Sequence, residues 1–120
     1  MINSTTYLIK GWKVTGDKAD DIYEKLSDVC EEEYKSDICD ILDSFHISDS
    51  MSGEYFYFGA ILGSLDNDEG YDDDIEITDK LIEDKFSKFE DMCEKYPKIA
   101  RVLGKYAKCE PKLYVVLNFS

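Results

Sequence analysis

The segment EYFYFGAILGSL, residues 54–65, limits the possible folds most, because it is apolar almost throughout. A strand of this composition is predicted to be central in a sheet and covered on at least one face. Gly59 and Gly63 weaken it locally, because glycine adds no side chain to the packing. With 120 residues, of which 43% are hydrophobic, the chain is predicted to be a single globular domain, residues 1–120, that can bury its own core.

Two longer segments have the apolar periodicity of amphipathic helices. The first helix is predicted over residues 17–33, with Asp17 as its N-cap. The second is predicted over residues 78–96, with Thr78 as its N-cap, and a short helix is expected to follow over residues 97–107. Each helix is expected to pack one apolar face against the rest of the domain.

The remaining segments complete the order of elements. Residues 5–15 predict a first strand, in which Gly11 marks a bulge or close packing. Residues 37–48 fit either a short helix or a short strand, and residues 112–119, KLYVVLNF, predict a final strand. The resulting order β-α-β-β-α(α)-β predicts an α+β, ferredoxin-like fold, with an antiparallel sheet and the helices on one face. The second strand is the least defined part of this prediction.

The net charge of the chain is concentrated in one stretch. Between Ser36 and Asp79 there are thirteen acidic residues and no Lys or Arg. Residues 1–35 and 80–120 have opposite small net charges that cancel, so this stretch accounts for the whole net charge of −13. Such a field repels nucleic acid and anionic membranes and attracts basic surfaces. We therefore expect no direct binding to nucleic acid and no binding to membranes.

No motif in the chain is strong enough to name a reaction, so we predict no catalytic residue, no metal site and no cofactor. The acidic loop, residues 66–74, fails the EF-hand register because Ile77 takes the place of the bidentate glutamate. His46, the single histidine, is expected to be structural. The cysteines lack the paired spacing of a zinc site and are expected to be free thiols in a reducing cytoplasm. They are Cys30, Cys39, Cys93 and Cys109.

Acidic residues line one face of the first predicted helix. Carboxylates about 5–6 Å apart along a helix can occupy the same basic groove as the phosphates of nucleic acid. We therefore expect a non-enzymatic protein that engages a basic, nucleic-acid-handling partner through acids of this helix and of the loop. These are Asp20, Asp21, Glu24, Asp28, Glu31, Asp66, Asp68, Glu69, Asp72, Asp73 and Asp74. A basic series near the C-terminus is expected to be a solvated face that neutralises such acids: Lys95, Lys98, Arg101, Lys105 and Lys108.

In composition the chain resembles small phage proteins that block restriction or CRISPR nucleases, which are short, acidic and cytosolic. The resemblance implies DNA mimicry, that is, steric and electrostatic competition with DNA or RNA. Three alternatives stay open: acid excess that only maintains solubility, a small metal- or ligand-binding domain or enzyme, and a structural or regulatory homo-oligomeric subunit. The last would be joined through an exposed edge at residues 112–119. The sequence does not predict the oligomeric state.

Overall fold

The structure, a computed structural model, describes residues 4–49, 53–66 and 74–119. Within these ranges no helix is both long enough and apolar enough to cross a membrane. The elements, in chain order, are β1 (Ser4–Thr15), α1 (Asp17–Tyr34), α2 (Ile38–Leu42), β2 (His46–Ser48), β3 (Tyr55–Asp66), α3 (Asp79–Lys95), α4 (Pro97–Gly104) and β4 (Lys112–Phe119).

The described strands form one antiparallel sheet in the order β2-β3-β1-β4. β3 pairs with both β1 and β2, so the apolar segment is central, as predicted. The helices and one face of β3 share a single buried cluster, to which β3 contributes Phe56, Phe58, Ala60 and Leu62. The mixed α+β class, with an antiparallel sheet and helices packed on it, is therefore confirmed. The strand order is compatible with a ferredoxin-like arrangement.

Residues 37–48, for which the sequence allowed a short helix or a short strand, form one of each. α2 buries Ile38, Ile41 and Leu42 in the main cluster, and the three-residue strand β2 follows it. These three residues fall on one face at helical spacing, so the short helix packs, whereas β2 is held by pairing with β3. At the other end of the chain, α4 ends at Gly104, three residues before the predicted end at residue 107.

The sheet covers its second face by curling. A smaller buried cluster on this face contains Ile9, Ile47, Tyr57 and Val116. Asn118 of β4 donates from Nδ2 to the carbonyl oxygen of Ser48 in β2, at 3.0 Å, and to the hydroxyl of Tyr55, at 2.8 Å. Because β2 and β4 lie at opposite edges of the sheet, these bonds form only if the sheet bends around the smaller cluster.

β1 and β3 approach each other closely at Gly11 and Gly59, which are paired across the sheet. A Cβ atom on Gly11 would lie well inside van der Waals distance of the Phe58 carbonyl oxygen, and one on Gly59 would overlap the Lys10 carbonyl oxygen. Gly59 also has a φ of 142°, which residues with a side chain rarely adopt. The close packing predicted at Gly11 is therefore confirmed.

We predict that Gly11→Ala lowers the free energy of unfolding by about 3 kcal/mol, because the atom that the new methyl group meets is backbone and cannot rotate away. Urea unfolding followed by circular dichroism measures this loss. Gly104→Ala at the end of α4 is the matched control, since a Cβ there meets no atom within 4 Å. Its stability is expected to be unchanged or slightly higher. Equal stability of the two variants would contradict the close approach of β1 and β3.

Candidate functional site

α1 has a buried face and an acidic face, and both follow from the spacing of its residues. Ala19, Ile22, Leu26 and Cys30 recur every three or four positions and are buried. The predicted acids of the opposite face are all exposed, and together they are called the acidic row: Asp20, Asp21, Glu24, Asp28 and Glu31.

The acidic row has no ion pair with any Lys or Arg of residues 4–49, 53–66 and 74–119, and these ranges hold all fourteen basic residues of the chain. Within the same ranges, an ion pair joins Lys98 Nζ to Glu33 Oε2, at 2.5 Å. Glu33 belongs to α1 but lies outside the row. Lys98 is therefore one member of the C-terminal basic series that neutralises an acid of α1, as expected, while the row itself faces solvent.

Acidic residues also lie on and beside α2, near the C-terminal end of α1. Asp37, Asp40 and Asp43 are exposed, and α2 packs against α1. The backbone N–H of Asp37 donates to Asp40 Oδ2 at 3.2 Å, in a capping box that begins α2. Asp37 follows the last residue of α1 by three positions, so its carboxylate lies near the C-terminal end of that helix.

At the other end of the row, Asp20 lines a pocket of about 390 Å³ between α1 and the start of β3. Tyr23, Asp49 and Tyr55 line the same pocket. Asp49 Oδ2 also accepts the backbone N–H of Glu54 at 3.3 Å, which fixes that carboxylate at the rim. Two carboxylates beside two tyrosine rings suit the charged end of a Lys or Arg side chain, because the carboxylates pair with the cation and the rings attract it.

The structure separates one predicted loop acid, Asp66, from the first residues of the acidic row. Asp66 and Asp74 are exposed. Asp66, at the end of β3, is in register with Thr5 at the start of β1, whereas α1 follows the end of β1. Asp66 and the first residues of the row therefore lie at opposite ends of the sheet. The other predicted loop acids lie outside the described residues: Asp68, Glu69, Asp72 and Asp73.

A groove of about 520 Å³ that the sequence did not predict adjoins the row on its other side. It lies between the end of β1, the first turns of α1 and the α4–β4 connection, and its lysines are Lys13, Lys18, Lys105 and Lys108. Asp21 lines the groove as well, so this member of the row has lysines as neighbours. Trp12 holds the connection in place by donating from Nε1 to the Cys109 carbonyl oxygen, at 2.7 Å. The lysines come from distant parts of the chain, so no local pattern marks the groove.

His46 is held by contacts typical of a structural histidine. Its Nδ1 lies 2.6 Å from the carbonyl oxygen of Leu42, and its ring stacks on Phe56 with the ring centroids 5.5 Å apart. Burial lowers the pKa of His46 below its ordinary value of 6.5 and outweighs the opposing effects of the Leu42 hydrogen bond and the Asp43 charge. A neutral imidazole that donates from Nδ1 to Leu42 is therefore the favoured form.

The four cysteines are free thiols: Cys30 is buried, Cys93 is partly buried, and Cys39 and Cys109 are exposed. Burial and, second to it, the charge of Glu90 raise the pKa of Cys93 to about 11, and burial raises the pKa of Cys30 as well. Neither of these two thiols is therefore activated as a nucleophile. In the part of the chain that the structure describes, no group of three His, Cys, Asp or Glu residues is arranged to hold a metal ion.

Comparison of the chain with models of known protein families, with curated proteins and with solved structures found no match. The surfaces that bear on function are therefore the chain's own: the acidic row, the pocket beside Asp20 and the lysine-lined groove.

We predict that His46 makes stability depend on pH near 6. Because the pKa of His46 is lower in the folded protein than the ordinary value of 6.5, the unfolded chain binds more protons in the window below 6.5. The contribution is fully present above that pH, decreases as the pH falls below it, and levels off below the folded-state pKa. His46→Asn keeps a donor near Leu42 but does not titrate.

The difference in unfolding free energy between the wild-type protein and His46→Asn is therefore expected to shrink as the pH falls from 8 to 5. Urea titrations of both proteins at the same pH values measure this difference and cancel the contributions of the carboxylates, which the two proteins share. A difference that is constant or that grows on acidification would show that the folded protein does not favour the neutral imidazole.

Proposed function

We propose that the protein is a non-enzymatic binding protein whose acidic row occupies a basic, nucleic-acid-binding surface of a partner protein. The observation that carries the proposal is that five exposed carboxylates follow one face of α1 with no ion pair to a basic residue of the described chain. An ordinary surface helix alternates charges of both signs, which pair with each other at i, i+4 spacing. Carboxylates that are left unpaired are available to cations on another molecule.

The spacing of the row supports mimicry of a nucleic-acid backbone. From Asp20 to Glu31 the helix advances about 16 Å at 1.5 Å per residue. One strand of duplex DNA carries about five phosphate charges over the same length, at one per 3.4 Å. The row therefore matches the charge density of a single backbone, and about half that of a duplex.

The surroundings of the row support an approach from the side of Asp20. On that side, the pocket formed with Tyr23 and Asp49 suits one Lys or Arg side chain of the partner. On the other side, the lysine-lined groove repels a basic surface at close range. A partner that docks along the row is therefore expected to insert a basic side chain beside Asp20 and to leave the groove uncovered.

The compositional resemblance to phage inhibitors of restriction and CRISPR nucleases makes such a nuclease the first partner to test. The mechanism is competition, in which the protein covers the basic surface and DNA or RNA cannot enter. Attraction between the net charge of −13 and a basic surface accelerates association and weakens as salt is added. Partners of this kind act in the cytoplasm, which is the location that the proposal implies.

We predict that neutralising the acidic row lowers the affinity for such a partner about tenfold or more, since several interfacial charge pairs are lost together. The test variant is Asp20→Asn/Glu24→Gln/Asp28→Asn/Glu31→Gln. Basic proteins retained by the immobilised wild-type protein from bacterial lysate are identified, and the affinity of each purified protein is measured by surface plasmon resonance. Added duplex DNA is expected to displace the partner.

The matched control is Glu83→Gln/Asp84→Asn/Glu90→Gln/Asp91→Asn, which removes the same number of Asp and Glu charges from exposed positions of α3. It is expected to bind nearly as well as the wild-type protein. Equal loss of affinity in both variants would mean that only the net charge of the protein matters and that the acidic row is not a specific interface. Unchanged affinity of the row variant would remove α1 from the interface.

A further inference from the structure

β4 is an edge strand without the features that usually protect such an edge. It pairs with β1 on one side, and within the described residues no strand pairs with its other side. Natural edge strands are short or carry charges, prolines or bulges that prevent pairing with another chain. β4 has eight residues, contains no proline and carries one charge, at Lys112. The chain has 27 acidic residues, and none of them lies on β4.

One face of β4 is anchored and the other is an uncovered apolar strip. Tyr114 and Val116 pack in the smaller cluster, so the strand is held in place. The alternate residues point to the side of the sheet on which the helices lie, but the helices pack chiefly on β1 and β3. The exposed fractions of these side chains are 57% for Leu113, 74% for Val115 and 50% for Leu117. Three exposed apolar side chains in a row, on a strand whose outer edge is unpaired, are typical of an interface.

The strand is complementary to a second copy of itself. A two-fold axis perpendicular to the sheet at Val115 pairs β4 with β4 of a second copy in antiparallel fashion. This pairing places Leu113 opposite Leu117 of the other copy, and it places Val115 opposite its own equivalent. Six apolar side chains then form one strip on the helix side. Lys112 lies opposite Asn118, so no like charges meet across the new pair.

The charge of β4 favours an antiparallel over a parallel pair. The strand carries one charge, at Lys112, at its first end. A parallel pair would place Lys112 beside Lys112 of the other copy, whereas the antiparallel pair separates the two ammonium groups by about 20 Å, which is the length of the strand.

We infer that the protein forms a two-fold symmetric dimer through antiparallel pairing of β4 with β4 of a second copy, which joins the two sheets into one continuous sheet. The occupant of the apolar strip is therefore another copy of this chain. The inference concerns a surface other than the acidic row and does not depend on the proposed function. In the dimer, both copies keep their helices on the same side of the joined sheet.

Sedimentation velocity tests the inference by the mass of the particle in solution. At about 100 μM protein, the wild-type chain is expected to sediment with twice its mass of 13.8 kDa. The dimer fraction is expected to rise with added salt, because salt screens the repulsion between two acidic chains. A wild-type monomer at this concentration in high salt would overturn the inference.

Val115→Lys places two ammonium groups against each other at the two-fold axis and is expected to raise the dimer dissociation constant about 100-fold or more. Thr15→Lys is the matched control, because it puts the same side chain on another exposed, β-branched strand position away from the edge. It is expected to remain a dimer, and circular dichroism checks that both variants fold. A Val115→Lys protein that is still fully dimeric would contradict pairing through β4.

Cross-linking tests the register independently of affinity. In a background with the exposed Cys39 and Cys109 changed to Ser, Val115→Cys is expected to form a disulfide-linked dimer under mild oxidation. Leu113→Cys by itself is expected to cross-link poorly, but to cross-link well when it is mixed with Leu117→Cys. Efficient cross-linking of Leu113→Cys with itself, and none of Val115→Cys, would contradict the proposed axis.

Discussion

Two glycines facing each other allow β1 and β3 to approach closely, and the rest of the structure is arranged around this pair of strands. Gly11 and Gly59 leave no room for a Cβ atom between the backbones. The two strands are paired along almost their whole length. The helices pack on one face of this pair, and the sheet curls around the smaller cluster on the other face. The curl brings Asn118 to Ser48 and closes the smaller cluster.

This arrangement separates the surfaces of the molecule by chemistry. α1 buries its apolar residues on the sheet and turns its carboxylates outward, so the acidic row follows from the helix period and not from any special packing. β4 lies at the edge, beyond the reach of the helical layer, so its apolar residues remain uncovered. A dimer through β4 would keep both acidic rows exposed, and the two proposals are therefore compatible with each other.

Local patterns were sufficient to predict most of the fold. The apolar segment 54–65 had to be central, and the spacing of apolar residues placed α1, α3 and α4 within a few positions of their ends. The close packing at Gly11 was also recognisable, because a glycine inside a strand often marks a point where another backbone comes close. The sequence did not distinguish helix from strand for residues 37–48, because a short apolar segment fits both periods. Its contacts with the rest of the domain determine which structure it adopts.

The sequence predicted the site less completely, for a physical reason. The exposure of the acidic row depends on the period of one helix, which the sequence contains. The separation of Asp66 from the start of that helix and the gathering of four lysines in a groove depend on contacts between distant segments. No local pattern encodes such contacts. The exposed edge at β4 was predictable only in part, because the sequence shows its apolar character but not its position in the sheet.

The most direct test of the central claim is the footprint of a DNA-displaceable basic partner on this protein, measured by amide chemical shifts in nuclear magnetic resonance. The shifted amides are expected to be those of residues 20–31 and of the residues around the pocket beside Asp20, with β4 unchanged. Shifts confined to the lysine-lined groove or to β4, with α1 unaffected, would contradict this claim.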